Sequence, residues 1–112
     1  MVARINDIQI SKNFKLYEFE CKDGSHLVKV DPLLVELLQK LRDKLGKPVV
    51  ITSGYRTPEY NRKVGGEKNS QHLLGKAADI KVSGVSPKEV AEEAIKIGFR
   101  GIGVYKTHTH VD

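Results

Sequence analysis

The chain has 112 residues, enough for one compact domain that buries a core without disulfide or metal staples. Its composition, 39% hydrophobic and 29% charged with no tryptophan, is that of a globular protein, and no apolar run approaches the roughly 20 residues that would span a bilayer. The net charge of +5 favours anionic surroundings, but its Lys and Arg residues are spread along the chain, with neither a recognition-helix pattern nor aromatics interleaved with basic residues, so no nucleic-acid partner is expected.

A single domain over residues 1–112, working as a monomer, is the expectation. The lone Cys21 excludes an internal disulfide. Met1 to Ile10 alternates polar and apolar residues and lacks the continuous apolar segment of a signal peptide. A cytoplasmic location follows unless lysis or another export route releases the protein.

In chain order, Asn6 to Ile10 reads as a short edge strand, and Lys12 to Glu20, with Phe14, Leu16, Tyr17 and Phe19, as a short helical turn on the core. Cys21 to Ser25 is a turn around Asp23-Gly24, and His26 to Val30 alternates like a small strand. Asp31-Pro32 opens the clearest helix, with Asp as N-cap and Pro at its first position. Its apolar stripe is Leu33, Leu34, Leu37, Leu38, Leu41 and Leu45, and Gly46 closes it. Val49 to Ser53 is a β-branched run that predicts a buried strand. Thr57 and Pro58 then start a helix to Val64, stopped by Gly65-Gly66.

After a polar loop, Glu67 to Gln71, comes the stretch Ser70-Gln71-His72-Leu73-Leu74-Gly75-Lys76-Ala77-Ala78-Asp79. It is symmetric about Gly75-Lys76, which predicts a two-residue hairpin loop with Gly supplying the positive φ. Residues 74/77, 73/78 and 72/79 would then face one another, and His72 and Asp79 would converge as cross-strand partners. Ala77 to Val82 is the second arm of that hairpin. Ser86-Pro87-Lys88-Glu89 carries a capping box and N1 Pro, predicting a helix to about Ile97 with the face Val90, Ala91, Ala94, Ile95 and Ile97. Gly101 to Tyr105 and His108 to Val111 finish as two strands. The order of elements argues for an α+β domain with a small antiparallel sheet and flanking helices.

Strand alternation puts His108, His110 and Asp112 on one face. A His and an Asp from one segment plus a His from a second strand form a mixed N/O donor set. That is the composition of catalytic zinc sites that keep one position open. Read singly, each residue has a plainer role: a strand histidine is more often a surface or hydrogen-bonded residue, and the Asp can cap or form a salt bridge.

The run Ser53-Gly54-Tyr55-Arg56-Thr57, the segment Ser70-x-His72-x-x-Gly75-x-Ala77-x-Asp79 and the terminal His110-Val111-Asp112 together resemble the zinc D-Ala-D-Ala carboxypeptidase group. This is a family of peptidoglycan L,D- and D,D-peptidases with a hedgehog-type fold that includes phage endolysins. The resemblance runs from about Phe14 to the last residue. It implies one Zn²⁺ per chain held by His72, Asp79 and His110, with Arg56 gripping a substrate carboxylate and Ser70 lining the pocket.

Two features depart from the family pattern. Thr107 stands where many members carry an acidic general base, three positions before the last His, which leaves His108 as the base; an imidazole titrates in the range this needs. Relatives also continue past His-Val-Asp, whereas Asp112 is the last residue here, and its counterpart more often looks structural. The resemblance implies a zinc peptidase acting on cell-wall peptides, of carboxypeptidase or endopeptidase type. Two rival classes are a non-catalytic hedgehog-like zinc-binding module, for which Thr107 is the best support, and a basic nucleic-acid-binding domain, which would bind in a salt-sensitive way and be indifferent to His72→Ala.

Overall fold

In the computed structural model, which describes residues 3–112, the framework is a four-stranded antiparallel sheet. Its strands are Val49–Ser53 (β3), Ala78–Val82 (β4), Ile102–Val104 (β5) and Thr109–Val111 (β6), in the order β3-β4-β6-β5. A separate two-stranded ribbon, Gln9–Ser11 (β1) with Phe14–Lys15 (β2), lies ahead of it. Three α-helices span Pro32–Leu45 (α1), Pro58–Lys63 (α2) and Pro87–Ile97 (α3). This is the α+β architecture with a small antiparallel sheet and flanking helices expected from the element order.

Each α-helix begins as its sequence dictates, with Pro in the first turn after a side chain that accepts a backbone N–H. Asp31 accepts from Leu33, Thr57 from Tyr60 and Ser86 from Glu89. Gly46 ends α1 in the left-handed region.

The period-2 pleat places the core and the candidate site on opposite faces of the sheet. Val49, Ile51, Ala78, Ile80, Val82 and Val111 point toward α1 and α3, where Leu34, Leu38, Leu41, Val90, Ala94 and Phe99 complete the core. Asp79 and His110, one residue out of phase, point the other way and are paired in register across β4 and β6. Ser53 is paired with Asp79 from β3.

Several expectations are corrected. The hairpin at Gly75-Lys76 does not form: Gln71–Leu74 is a 3₁₀ turn with Ser70 as N-cap, and Gly75 ends it at φ 70°. Left-handed glycine serves a helical C-terminus as well as a hairpin, and here Gly75 packs beneath the Lys29 backbone. Asp79 therefore meets His72 through tertiary packing and not as a cross-strand partner. His26 to Val30 is not a strand; His26 takes a left-handed φ of 63°, and the segment runs as irregular chain.

Lys12 to Glu20 divides into strand β2 and a 3₁₀ turn, Leu16–Phe19. The predicted strand at Asn6 shifts to Gln9–Ser11, with Asn6 itself left-handed. Strand β3 lies at the sheet edge and is only half buried, with Val50 on the open face. Leu33 and Ile95 lie outside the buried stripes of their helices, and Val35 takes a core position instead. Among the described residues no helix is long and apolar enough to cross a membrane.

Candidate metal centre

Three elements deliver three ligand atoms to one point. Asp79 comes from near the start of β4, His110 from its neighbour β6, and His72 from the 3₁₀ turn beside them. One donor atom from each lies within 4.8 Å of the other two. His110 Nδ1 is 2.9 Å and His72 Nε2 3.3 Å from the same Asp79 oxygen, Oδ1. His72 is 2% and Asp79 8% exposed, so both are committed to the interior.

Hydrogen bonds outside the cluster fix which nitrogens face inward. His72 Nδ1 lies 2.7 Å from the Gly54 carbonyl oxygen, which has no proton to give, so Nδ1 must be the donor. In the neutral ring, Nε2 then turns a lone pair toward the Asp79 carboxylate. Acceptor facing acceptor in a buried site requires either a second proton or a cation between them. His110 is held similarly: Nε2 lies 2.7 Å from Asp112 Oδ2, leaving Nδ1 toward Asp79. A histidine whose far nitrogen donates to a carboxylate is the usual outer support of a metal ligand. A tetrahedral ion with bonds of about 2.1 Å sets its ligands roughly 3.4 Å apart; the two nitrogen-to-Oδ1 spacings are 2.9 and 3.3 Å, and all three ligand atoms lie within 4.8 Å of one another. Two imidazoles and one carboxylate so disposed fit a divalent ion such as zinc.

Without an ion the charges redistribute predictably. Burial pushes the Asp79 carboxyl upward, but hydrogen bonds from His110 and His72 and their charges outweigh it and hold the group well below the usual carboxylate range. Asp79 raises the His110 pKa through its hydrogen bond; burial opposes this, and Asp112 adds to the rise.

Arg56 approaches Asp79 from the other side. Its Nη2 donates to Asp79 Oδ2 (3.1 Å), its Nε to Ser53 Oγ (3.0 Å) and its Nη1 to Asn61 Oδ1 (3.2 Å). A guanidinium has five N–H donors; these three bonds leave two free, one on each terminal nitrogen. Ser70 Oγ accepts from the His72 backbone N–H, which keeps its own hydroxyl hydrogen available. His108 Nε2 stands 3.9 Å from Asp79 Oδ2, beside the ligand set and not in it. Arg56, Ser70 and His108 line one cavity of about 540 Å³ together with His72, Asp79 and His110. A second cavity of about 480 Å³ adjoins it at Gln71 and Asp112; its floor of Leu33, Leu34, Leu37 and Phe99 is apolar and it brings no histidine.

The predicted site residues His72, Asp79, His110, His108, Arg56 and Ser70 are thus brought to one cavity. Thr107 does not line that cavity; its Oγ1 lies 3.4 Å from His108 Nδ1, on the side of the ring away from Asp79 Oδ2. Three contributors were not singled out from the sequence. Tyr105 stacks on the His108 ring, centroids 4.6 Å apart and planes 8° apart. The Gly54 carbonyl sets the His72 tautomer, and Asn61 holds Arg56. Gly54 stands in the Ser53–Thr57 run, but nothing in that run shows what its carbonyl holds, and nothing local marks Asn61; Tyr105 lies three residues before His108, across a turn closed by its own N–H to the His108 carbonyl.

The family model described as peptidase M15 matches residues 12–112. The chain belongs to the peptidase M15 family. Within that family it is 32% identical over 92 residues to the peptidoglycan L,D-endopeptidase MepK of Escherichia coli K12, covering 74% of this chain and 50% of that protein. It is 35% identical over 80 residues to the zinc D-Ala-D-Ala carboxypeptidase of Streptomyces albus G, covering 66% of this chain and 31% of that protein. The probable MepK of Haemophilus influenzae is 30% identical over 106 residues, covering 86% and 57%. The chain therefore spans about half the length, or less, of these M15 relatives.

Proposed function

We propose that this M15 chain is a zinc peptidase that cleaves peptide bonds beside D-alanine in peptidoglycan peptides, acting as a D-Ala-D-Ala carboxypeptidase. The observation that carries this reading is the junction of the His72–Asp79–His110 cluster with the Arg56 guanidinium in one cavity. An ion-binding triad beside a fixed cation suits a substrate whose scissile carbonyl lies one residue from a free carboxylate.

In this reading His72, Asp79 and His110 hold one Zn²⁺, which supplies Lewis acidity toward the carbonyl and toward water. Arg56 directs its two remaining N–H donors at the terminal carboxylate, a pairing suited to a planar fork. The Ser70 hydroxyl donates to the same end of the substrate. His108 accepts the proton of the attacking water and returns it to the departing amine. Stacking on Tyr105 limits the rotation of the His108 ring. The basic surface favours approach to an anionic wall polymer.

A second reading, endopeptidase action on a cross-linked or internal bond, is favoured by the similarity to the MepK proteins. There Arg56 would meet a side-chain or backbone acceptor instead. The deciding experiment is amine release from a D-Ala-D-Ala-terminated peptide and from intact peptidoglycan, with zinc added and then chelated. Chelator-sensitive release from the short peptide is expected. Release only from cross-linked wall would favour the second reading, and no release from either by the zinc-loaded, folded protein would leave a zinc-binding module.

A further inference from the structure

Asn61 is 3% exposed on the inner side of α2, and both ends of its amide are used. Oδ1 accepts from Arg56 Nη1 (3.2 Å), and Nδ2 donates to the Glu67 carbonyl (2.8 Å). A buried amide is tolerated when satisfied in this way. The neighbouring backbone is shaped around it: the Gly66 N–H donates to the Asn61 carbonyl (2.8 Å). A Cβ at Gly66 would overlap Asn61 Oδ1 and crowd Arg56 Nη1.

From this arrangement we propose that Asn61 is a positioning residue for Arg56, and that Gly66 lacks a side chain to leave the amide its place. The inference rests on the reading of Arg56 as the carboxylate anchor. Arginine has many rotamers, and its value as a fork depends on being aimed before substrate arrives. Three partners from three elements do the aiming: Ser53 at the end of β3, Asp79 on β4 and Asn61 on α2. Ser53 and Asp79 are adjacent across one ladder and constrain the same edge of the guanidinium. Asn61 is the hold on Nη1, and through the Glu67 carbonyl it ties that hold to the loop Gly65–Ser70 at the cavity rim.

The test is the Arg56 Nε–H resonance of the zinc-loaded protein, assigned by its loss in Arg56→Lys. It is followed by titration with a peptide ending in a D-Ala carboxylate and with the same peptide amidated. In Asn61→Ala, exchange of the Arg56 Nε–H with water should accelerate by about tenfold or more. The dissociation constant of the carboxylate peptide should rise about tenfold while that of the amide stays the same, the loss expected for one charge-assisted bond. Asn61→Asp keeps an acceptor toward Nη1 but loses the donor to the Glu67 carbonyl, so in a folded variant it should slow Arg56 exchange relative to Asn61→Ala without restoring the tie to the 65–70 loop. Gly66→Ala should behave as Asn61→Ala because its new methyl displaces the amide. It decides by the same criteria if Asn61→Ala loses its native amide spectrum. Unchanged Arg56 exchange in a folded Asn61→Ala protein overturns the proposal. Faster exchange with equal loss of both peptides supports the positioning role and overturns the carboxylate reading of Arg56.

Discussion

Asp112 and His108 sit at similar distances in sequence from His110, yet they belong to different parts of the chemistry. Asp112 touches one of the three candidate ligands directly, at 2.7 Å from His110 Nε2, and a Cβ on Gly101 would overlap its carboxylate. Asp112→Asn should therefore weaken zinc binding by roughly 10–100-fold, the range for an outer support of a metal ligand, as read by competition with a chromogenic chelator. His108 touches Asp79 only at 3.9 Å. His108→Ala should leave zinc affinity near wild type and lower kcat by roughly 10²–10⁴-fold, the usual contribution of a general base. Retained kcat would remove His108 from that role. Alternation along β6 made it legible that the three residues share a face. That Asp112 grips the His110 ring was not legible, because it depends on the strand ending against Gly101.

At the scale of elements, the 3₁₀ turn shows where sequence reasoning stopped. Gly75 is left-handed in either a hairpin or a helical terminus, so the Ser70–Asp79 stretch is locally ambiguous. Packing resolves it. Gly75 lies against the Lys29 backbone, its carbonyl accepts the Asp31 N–H, and the Arg56 N–H donates to the His72 carbonyl. All three contacts join parts of the chain far apart in sequence. The helices were legible to within a residue at their starts because Pro and cap residues act locally. The exposures of Leu33 and Ile95 were not, since they depend on how far the neighbouring elements extend over each helix. Gly75→Ala combines left-handed strain with a clash against Lys29. It should cost about 1–3 kcal/mol in urea unfolding and weaken zinc binding, because the turn that carries His72 must shift.

For the whole molecule, the depressed Asp79 and raised His110 predict the pH dependence of the metal-free protein. The Asp79 contribution is present above the unfolded carboxyl pKa of about 3.9 and is lost as pH falls through its lower folded value. The His110 contribution is fully present below the unfolded imidazole pKa of about 6.5 and is lost as pH rises through its higher folded value. Metal-free melting temperatures should thus be highest between roughly pH 4 and 6.5 and fall toward alkaline pH. Zinc, which replaces the proton between His110 and Asp79, should reverse the alkaline decline. Loading near neutrality should also release protons, seen as a binding enthalpy that varies with buffer ionisation. A flat metal-free profile over this range would contradict the coupling drawn between these groups.

The sheet order has a consequence for how the centre survives loss of its ion. Asp79 and His110 sit on β4 and β6, the two inner strands, each hydrogen-bonded on both sides. Amides in such a position open to solvent only in the largest unfolding events, whereas a single turn held by a few contacts opens on its own. Two of the three cluster residues are therefore held by the sheet itself, and His72 alone depends on the packing of a short turn. Unlike a zinc finger, which folds around its metal, this domain would keep its shape while the ion comes and goes. The exchange rate of the ion would then follow the opening of one short turn rather than the stability of the fold.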